Sequence, residues 1–363
     1  MIKPFVALTV LMATTLASWS QQMDFEAYDP ATTLIVPEHV VSRAKYPFID
    51  VHNHQFGMAS QDLSGLTTEM DKLNMKVMVN LSGRGRGDSE HLRNSLENAR
   101  KHPGRFIVFT NVDFDNVDDP QWTARTVRQL EEDVKMGASG LKIYKGLGMN
   151  ARDSKGNRIK IDDPRIGPVW EKCGELGIPV LIHSADPKPF WDPMDENNER
   201  WLELKTRPGR KRSDSDPAPW ETIIAEQHNI FRNHPRTTFI NAHLGWYGNN
   251  LQKLGELMDQ FPNMQTEIGA VIAELGRQPR FARAFLIKYQ DRVMFGKDSW
   301  VPEEYGTYFR VLETADDYFP YHKRYHAFWR MYGLDLPDEV LKKLYYKNAL
   351  RVIPNIDPSL FPK

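Results

Sequence analysis

A chain of 363 residues with 47 Lys and Arg against 48 Asp and Glu carries a formal charge of −1. That balance argues against partners held by bulk electrostatics, such as nucleic acid or an anionic membrane surface. Cys173 is the only cysteine, which excludes an intrachain disulfide and a cysteine-based metal site.

In chain order, Lys3 precedes an apolar run from Phe5 to Ala17, followed by Ser18, Trp19, Ser20 and Gln21. A basic start, a short apolar stretch and small residues at a cleavage site predict a secretory leader over 1–20, with a buried N-terminal helix as the bland alternative. The run is shorter than the about 20 apolar residues of a membrane span. Export without disulfides suits a secreted or periplasmic protein, and the absence of a following cysteine argues against a lipid anchor. Residues 21–46 read as an irregular arm and 47–355 as one domain.

Eight apolar runs predict strands: Tyr46–Val51, Lys76–Leu81, Arg105–Val112, Gly140–Tyr144, Pro179–Ile182, Thr237–Asn241, Met264–Ile268 and Arg292–Phe295. Amphipathic stretches separate them, among them Asp119–Met136, Asp163–Leu176 and Asn249–Gln260. Eightfold alternation predicts a parallel (β/α)8 TIM barrel. An open doubly wound sheet should carry a Gly-rich phosphate loop after its first strand, and Val51–Gly57 does not match one. Between His183 and His243 lie 59 residues, including Asp186–Trp220 with the basic cluster Arg210, Lys211 and Arg212. This long loop reads either as a lid or specificity loop on the catalytic face or as a solvated insertion. Pro337–Ile353 predicts a final helix, opened by Pro337 and Asp338 and packed outside the barrel.

Residues two apart on a strand share a face, so Asp50, His52 and His54 point the same way. At the C-terminal mouth of a barrel, two inward imidazoles are natural ligands for a divalent metal, and Asp50 lies deeper as a structural group. His183, His243 and Asp298 each end a further apolar run, where barrel enzymes place their catalysts. Three strand-end histidine positions and an aspartate make an N/O donor set of the zinc, manganese or iron type. Arg84 and Arg86 follow the second strand and could hold a substrate carboxylate, or sit in a solvated loop. His102 and His234 each precede a proline and read as helix-ending residues. His322 and His326 have i, i+4 spacing and read as a surface helix. His39, His91 and His228 lie in polar context.

These residues carry a family resemblance. The order H-x-H, His, His, Asp resembles the amidohydrolase superfamily. Phe48-Ile-Asp-Val-His-Asn-His54, Pro179-Val-Leu-Ile-His183 and Asn241-Ala-His-Leu-Gly245 look like its amidohydrolase-related branch, which includes aminocarboxymuconate semialdehyde decarboxylase and several lactone and amide hydrolases. His102-Pro-Gly-Arg-Phe106 and Asn348-Ala-Leu-Arg351 are further echoes, and the resemblance spans residues 46 to 353. It implies one divalent metal, zinc first and manganese or iron after it, held by His52, His54, His183 and Asp298. It also implies that His243 orients or protonates the reacting group and that Asp298 shuttles a proton. One departure is Gly296-Lys297-Asp298, where the family has Thr or Ser before the last ligand; alternation turns Lys297 away from the mouth. Lys142, in Leu141-Lys142-Ile143-Tyr144, resembles the lysine that bridges two metals in dihydroorotase-like members and also a non-ligand lysine of one-metal relatives.

The resemblance implies hydrolysis of an amide, lactone or ester in a small molecule. Non-oxidative decarboxylation of an aromatic or enoic acid on the same metal site is the runner-up, and a non-catalytic ligand-binding barrel is the alternative from another class. A small-molecule substrate is the expected partner, with neither nucleic acid nor membrane, and a homo-oligomer is compatible with all three.

Overall fold

The computed structural model describes residues 23–85 and 89–362; the expected leader and Arg86 lie outside them. Residues 23–35 form one unit, with a 3-10 turn at Phe25–Ala27, and the second unit begins at Val36. Everything below concerns the second unit.

Each predicted apolar run is a strand. They are β1 (Phe48–Asn53), β2 (Met75–Asn80), β3 (Phe106–Val108), β4 (Thr110–Asn111), β5 (Leu141–Ile143), β6 (Val180–Ile182), β7 (Phe239–Asn241), β8 (Met264–Glu267) and β9 (Val293–Met294). Every pairing is parallel, in the orders β1-β2-β3 and β4-β5-β6-β7-β8-β9. β3 and β4 are one barrel strand interrupted at Phe109, whose N–H still donates to Asn80 O at 2.9 Å. The ring closes where Val51 N–H donates to Phe295 O at 3.0 Å and Asp298 N–H to His52 O at 2.6 Å. The protein is therefore a (β/α)8 barrel. All six residues of β1 are buried, polar ones included, because helices cover the outside of the barrel while side chains fill its inside.

A helix follows each barrel strand: Ser64–Leu73, Ser89–Arg100, Trp122–Met136, Gly167–Glu175, Trp220–Asn233, Leu251–Gln260, Pro279–Lys288 and Tyr305–Glu313. Leu251–Gln260 shows the local logic. Asn250 caps it by accepting the Lys253 N–H at 3.0 Å, and Leu251, Leu254, Leu257 and Met258 form the buried stripe. Each such side chain stabilises the fold by about 1.5–3 kcal/mol. No helix among the described residues is long and apolar enough to cross a membrane.

The predicted C-terminal helix is two short helices, Asp338–Lys342 and Asn348–Val352, joined by a π turn at Lys343–Lys347. The turn diverts the Leu344 carbonyl to the Phe295 N–H at 2.8 Å, so it anchors the helix to the strand end beyond β9. The reading of His322 and His326 as a surface helix is corrected. Their segment is irregular, follows Pro320, and is pinned by the bridge between Phe319 and Met331.

The long connection is neither a bare loop nor a solvated one. It carries 3-10 turns at Lys188–Phe190 and Pro208–Arg210 and a helix at Trp201–Thr206, and it buries Phe190, Trp191 and Leu204. Its basic cluster is spent internally. Arg210 pairs with Glu203, Arg212 with Asp186, and Lys211 Nζ donates to three carbonyls.

Candidate metal centre

β1 delivers His52 and His54 to the C-terminal mouth, one on the strand and one just beyond it. His52 is fully buried, and its Nε2 lies 3.1 Å from Asp298 Oδ1. His54 Nε2 lies 3.7 Å from the same oxygen. Asp298 sits in the left-handed region at φ 81°, and its carboxylate stays partly open to the mouth, with the side chain 36% exposed. These three residues bring one donor atom each within 4.8 Å of one another. His54 is steadied from behind by Ser82 Oγ at 2.8 Å, which in turn meets Tyr144 OH at 2.9 Å.

His183 and His243, at the ends of β6 and β7, stand ring against ring with centroids 4.4 Å apart. His243 Nδ1 lies 2.7 Å from Gly269 O, and His183 Nε2 lies 3.1 Å from Ala185 O. A carbonyl only accepts, so both outer nitrogens carry hydrogen in this arrangement. The inner nitrogens, His243 Nε2 and His183 Nδ1, then face each other across 3.3 Å with a lone pair each. Such a pairing calls for a cation or a proton. His243 leads a turn in which His243, Leu244, Gly245 and Trp246 all have left-handed φ of 53–62°. For the three non-glycine residues this costs roughly 1–2 kcal/mol each, strain of the kind found at functional sites. The turn stacks Trp246 on His243 at 4.6 Å, and Trp246 Nε1–H donates to Ser184 O at 3.0 Å.

Five predicted residues thus meet at one mouth, in two groups: His52, His54 and Asp298 on one side, His183 with His243 on the other. The His52 and His243 rings, 4.8 Å apart, connect them. Burial, with help from neighbouring positive groups, holds His54 and His183 well below the usual imidazole range. Both are neutral donors at physiological pH. Burial works against the Asp298 carboxylate, but its hydrogen bond with His52 and the surrounding imidazoles pull it well below the usual carboxylate range. Neutral imidazoles, an ionised carboxylate and two opposed lone pairs fit a divalent cation.

Lys142 lies on the floor of the site, almost completely buried, with Nζ 3.4 Å from His52 Nε2. Burial lowers it to about 8, against the pull of Asp298 and Glu267. Asp50 holds the barrel seam: it accepts from the His52 and Lys297 N–H groups, each at 3.1 Å, and from Tyr305 OH at 2.6 Å. Lys297 turns from the mouth and meets Glu304 at 2.5 Å. Arg84 is not a free anchor for a substrate carboxylate. It is buried, with Nη1 2.7 and 2.9 Å from the two oxygens of Asp133.

Sequence reasoning missed Glu267, which ends β8 and is fully buried. Its Oε1 lies 2.9 Å from His52 Nδ1 and accepts the His243 N–H at 2.6 Å; its Oε2 accepts the Gly269 N–H at 2.5 Å. Burial opposes its charge, but His52 and His243 outweigh that and bring it down to about 2. Gly296 and Gly269 leave room for it: a Cβ on either would stand 2.3 or 2.6 Å from Oε2. The signal was weak: Glu267 closes a strand whose preceding residues, Gln265 and Thr266, are polar, unlike the apolar runs before His183 and Asp298. Donor atoms of Glu267, His52 and His243 also gather within 4.8 Å.

Comparison with known proteins agrees with this geometry. The amidohydrolase family model matches residues 49–354. No curated protein matches. Among solved structures, a 2,6-dihydroxybenzoate decarboxylase complexed with 2,6-dihydroxybenzoate is similar with a TM-score of 0.55 at 13% identity, over 85% of this chain and 99% of that one. The dihydroxybenzoic acid decarboxylase of Polaromonas sp. JS666, with bound manganese and the inhibitor 2-nitroresorcinol, gives 0.55 at 13% identity over 85% and 96%. An uncharacterised TIM-barrel protein of Bordetella bronchiseptica gives 0.53 at 14% identity over 84% and 97%. At these identities the likeness concerns the fold.

Proposed function

Because the chain belongs to the amidohydrolase family, whose members are metal-dependent, we propose that it hydrolyses an amide, lactone or ester bond in a small molecule. The observation that carries this reading is the convergence of His52 Nε2 and His54 Nε2 on one carboxylate oxygen of Asp298. His52, His54, His183 and Asp298 hold one divalent cation, zinc first and manganese or iron as alternatives. When bound, such a cation supplies a Lewis acid that polarises a carbonyl and makes water a stronger acid.

The chain's own residues do the rest. Asp298, ionised and open to the mouth, accepts the proton of the attacking water and returns it to the leaving atom. His243 has Nδ1 committed to Gly269 O, so it works through Nε2; with a proton taken up there from solvent as substrate binds, it steadies the developing oxyanion and gives that proton back when product leaves. Lys142 closes the floor as a buried amine beside His52.

Decarboxylation on the same site needs a cation to hold the substrate carboxylate. Among the described candidates for that role, Arg84, Arg210 and Arg212 are each already paired with a carboxylate, which favours hydrolysis. A non-catalytic barrel would be expected to lack a ligand, and every position here is filled.

The test is elemental analysis of the purified protein together with assays on panels of lactones, esters, amides and aromatic acids. One metal equivalent and hydrolysis abolished in Asp298→Asn are expected. Carbon dioxide release without hydrolysis would overturn the reaction, and two equivalents would make Lys142 a bridging ligand. The same reading has the chain exported by its leader over 1–20, which N-terminal sequencing of protein recovered from outside the cytoplasm would test.

A further inference from the structure

Glu267 belongs to no predicted role, yet the two halves of the site both lean on it. Its carboxylate takes three donors from three segments: the ring of His52 on β1, the N–H of His243 at the strained turn, and the N–H of Gly269 beyond its own strand. It is fully buried, and two glycines clear the space it fills. We propose that Glu267 is a positioning residue that keeps the hydrogen of His52 on Nδ1, leaving Nε2 bare for a cation, and that by the same carboxylate it holds the left-handed turn that aims His243.

The geometry decides between this role and direct ligation. A carboxylate is acceptor-only, with two oxygens. Oε1 already faces the His243 N–H and His52 Nδ1, and Oε2 faces the Gly269 N–H. A cation at those oxygens would meet the positive ends of backbone dipoles. His52 Nδ1 and Nε2 lie on opposite sides of the ring; Glu267 is on one, and Asp298 and Lys142 are on the other. The carboxylate therefore backs the imidazole rather than sharing its ligand face. Histidine ligands backed in this way lose roughly 10–100-fold in metal affinity when the carboxylate is removed. The link to His243 adds a second consequence. Without the accepting oxygen, three non-glycine residues in left-handed conformation lose one of the bonds that holds them there.

This inference rests on the reading of His52 as a metal ligand, so its test separates the two. Ring nitrogens of ¹⁵N-histidine-labelled protein are read by NMR, with His52 assigned from a His52→Gln variant. The first sample is metal-free and at alkaline pH, where imidazoles are neutral; the second is titrated with zinc. In the wild type His52 is expected to carry a hydrogen on Nδ1 in the zinc-loaded sample; in the metal-free sample Asp298 also faces Nε2, and zinc displaces any hydrogen there. In Glu267→Gln, zinc affinity falls about 10–100-fold with the stoichiometry unchanged, the Nδ1 hydrogen is lost from a fraction of molecules, and the His243 resonances broaden. A zinc-loaded wild type whose His52 lacks the Nδ1 hydrogen would overturn the proposal without needing any variant to fold. So would unchanged tautomer and affinity in Glu267→Gln, or loss of a whole zinc equivalent, which would make Glu267 a ligand. If wild type binds no zinc, the functional reading fails, while an Nδ1 hydrogen on His52 that is present in wild type and lost in Glu267→Gln still decides for Glu267, and one that is unchanged decides against it.

Discussion

The mouth of the barrel and the insertion over Asp186–Trp220 use the same polar residues to opposite ends. In the insertion every buried charge is matched. Glu203 takes Arg200, Arg210 and His326, and Asp186 takes Lys145 and Arg212. At the mouth the groups converge without matching. Two imidazoles share one Asp298 oxygen, and the lone pairs of His183 and His243 face each other. Closed sets of partners fold a segment; open valences aimed at a common point leave room for a ligand. The difference separates a structural charge cluster from a site more sharply than charge density does.

The comparison breaks if charge changes in the two regions have the same consequences. Asp298→Asn is expected to cost about 10²–10⁴-fold in turnover with only partial loss of bound metal and an unchanged urea midpoint. Wild-type rates would remove Asp298 from the chemistry. Arg84→Met, which strands Asp133 in the interior, should cost about 3–5 kcal/mol of stability, read as a fall in the urea midpoint, with metal equivalents intact. If metal is lost before the fold is, the pair belongs to the site after all.

Glu203 supplies the pH test. Burial works against its charge, but His326, Arg200 and Arg210 hold it at about 2, below the ordinary value near 4.3 for Glu. A depressed carboxylate contributes stability above its unfolded value, and that contribution disappears as pH falls toward 2. Urea midpoints measured between about pH 5 and pH 2 should fall less steeply in Glu203→Gln than in wild type, from a lower starting point at neutral pH. Identical slopes would show that Glu203 is not a structural charge of this kind. The smallest effect is Lys145→Met. Its amine is 39% exposed and meets Asp186 at 2.5 Å, so solvent screens it, and Asp186 keeps Arg212. A stability change within about 1 kcal/mol is expected. A larger one would place the pair among the buried clusters.

The barrel was legible because its strands are apolar on both faces and separated by helical stretches, a pattern that burial in the core imposes on the sequence itself. His52, His54, His183, His243 and Asp298 were legible for a related reason: each interrupts an apolar run at its C-terminal end, the one place where a barrel strand meets solvent. Glu267 follows Gln265 and Thr266 rather than an apolar run, and a lone glutamate at a strand end says nothing until the ring of His52 is seen behind it. Partner choice across long separations was not legible. Arg84 faces Asp133, Arg212 faces Asp186 and His326 faces Glu203 through packing between segments, and no spacing in the chain encodes those meetings. Local periodicity settles which residues lie on a buried face. Only closure of the barrel, by bringing β1 beside β9 and Glu267 behind His52, decides which polar groups are satisfied there and which remain open to a ligand.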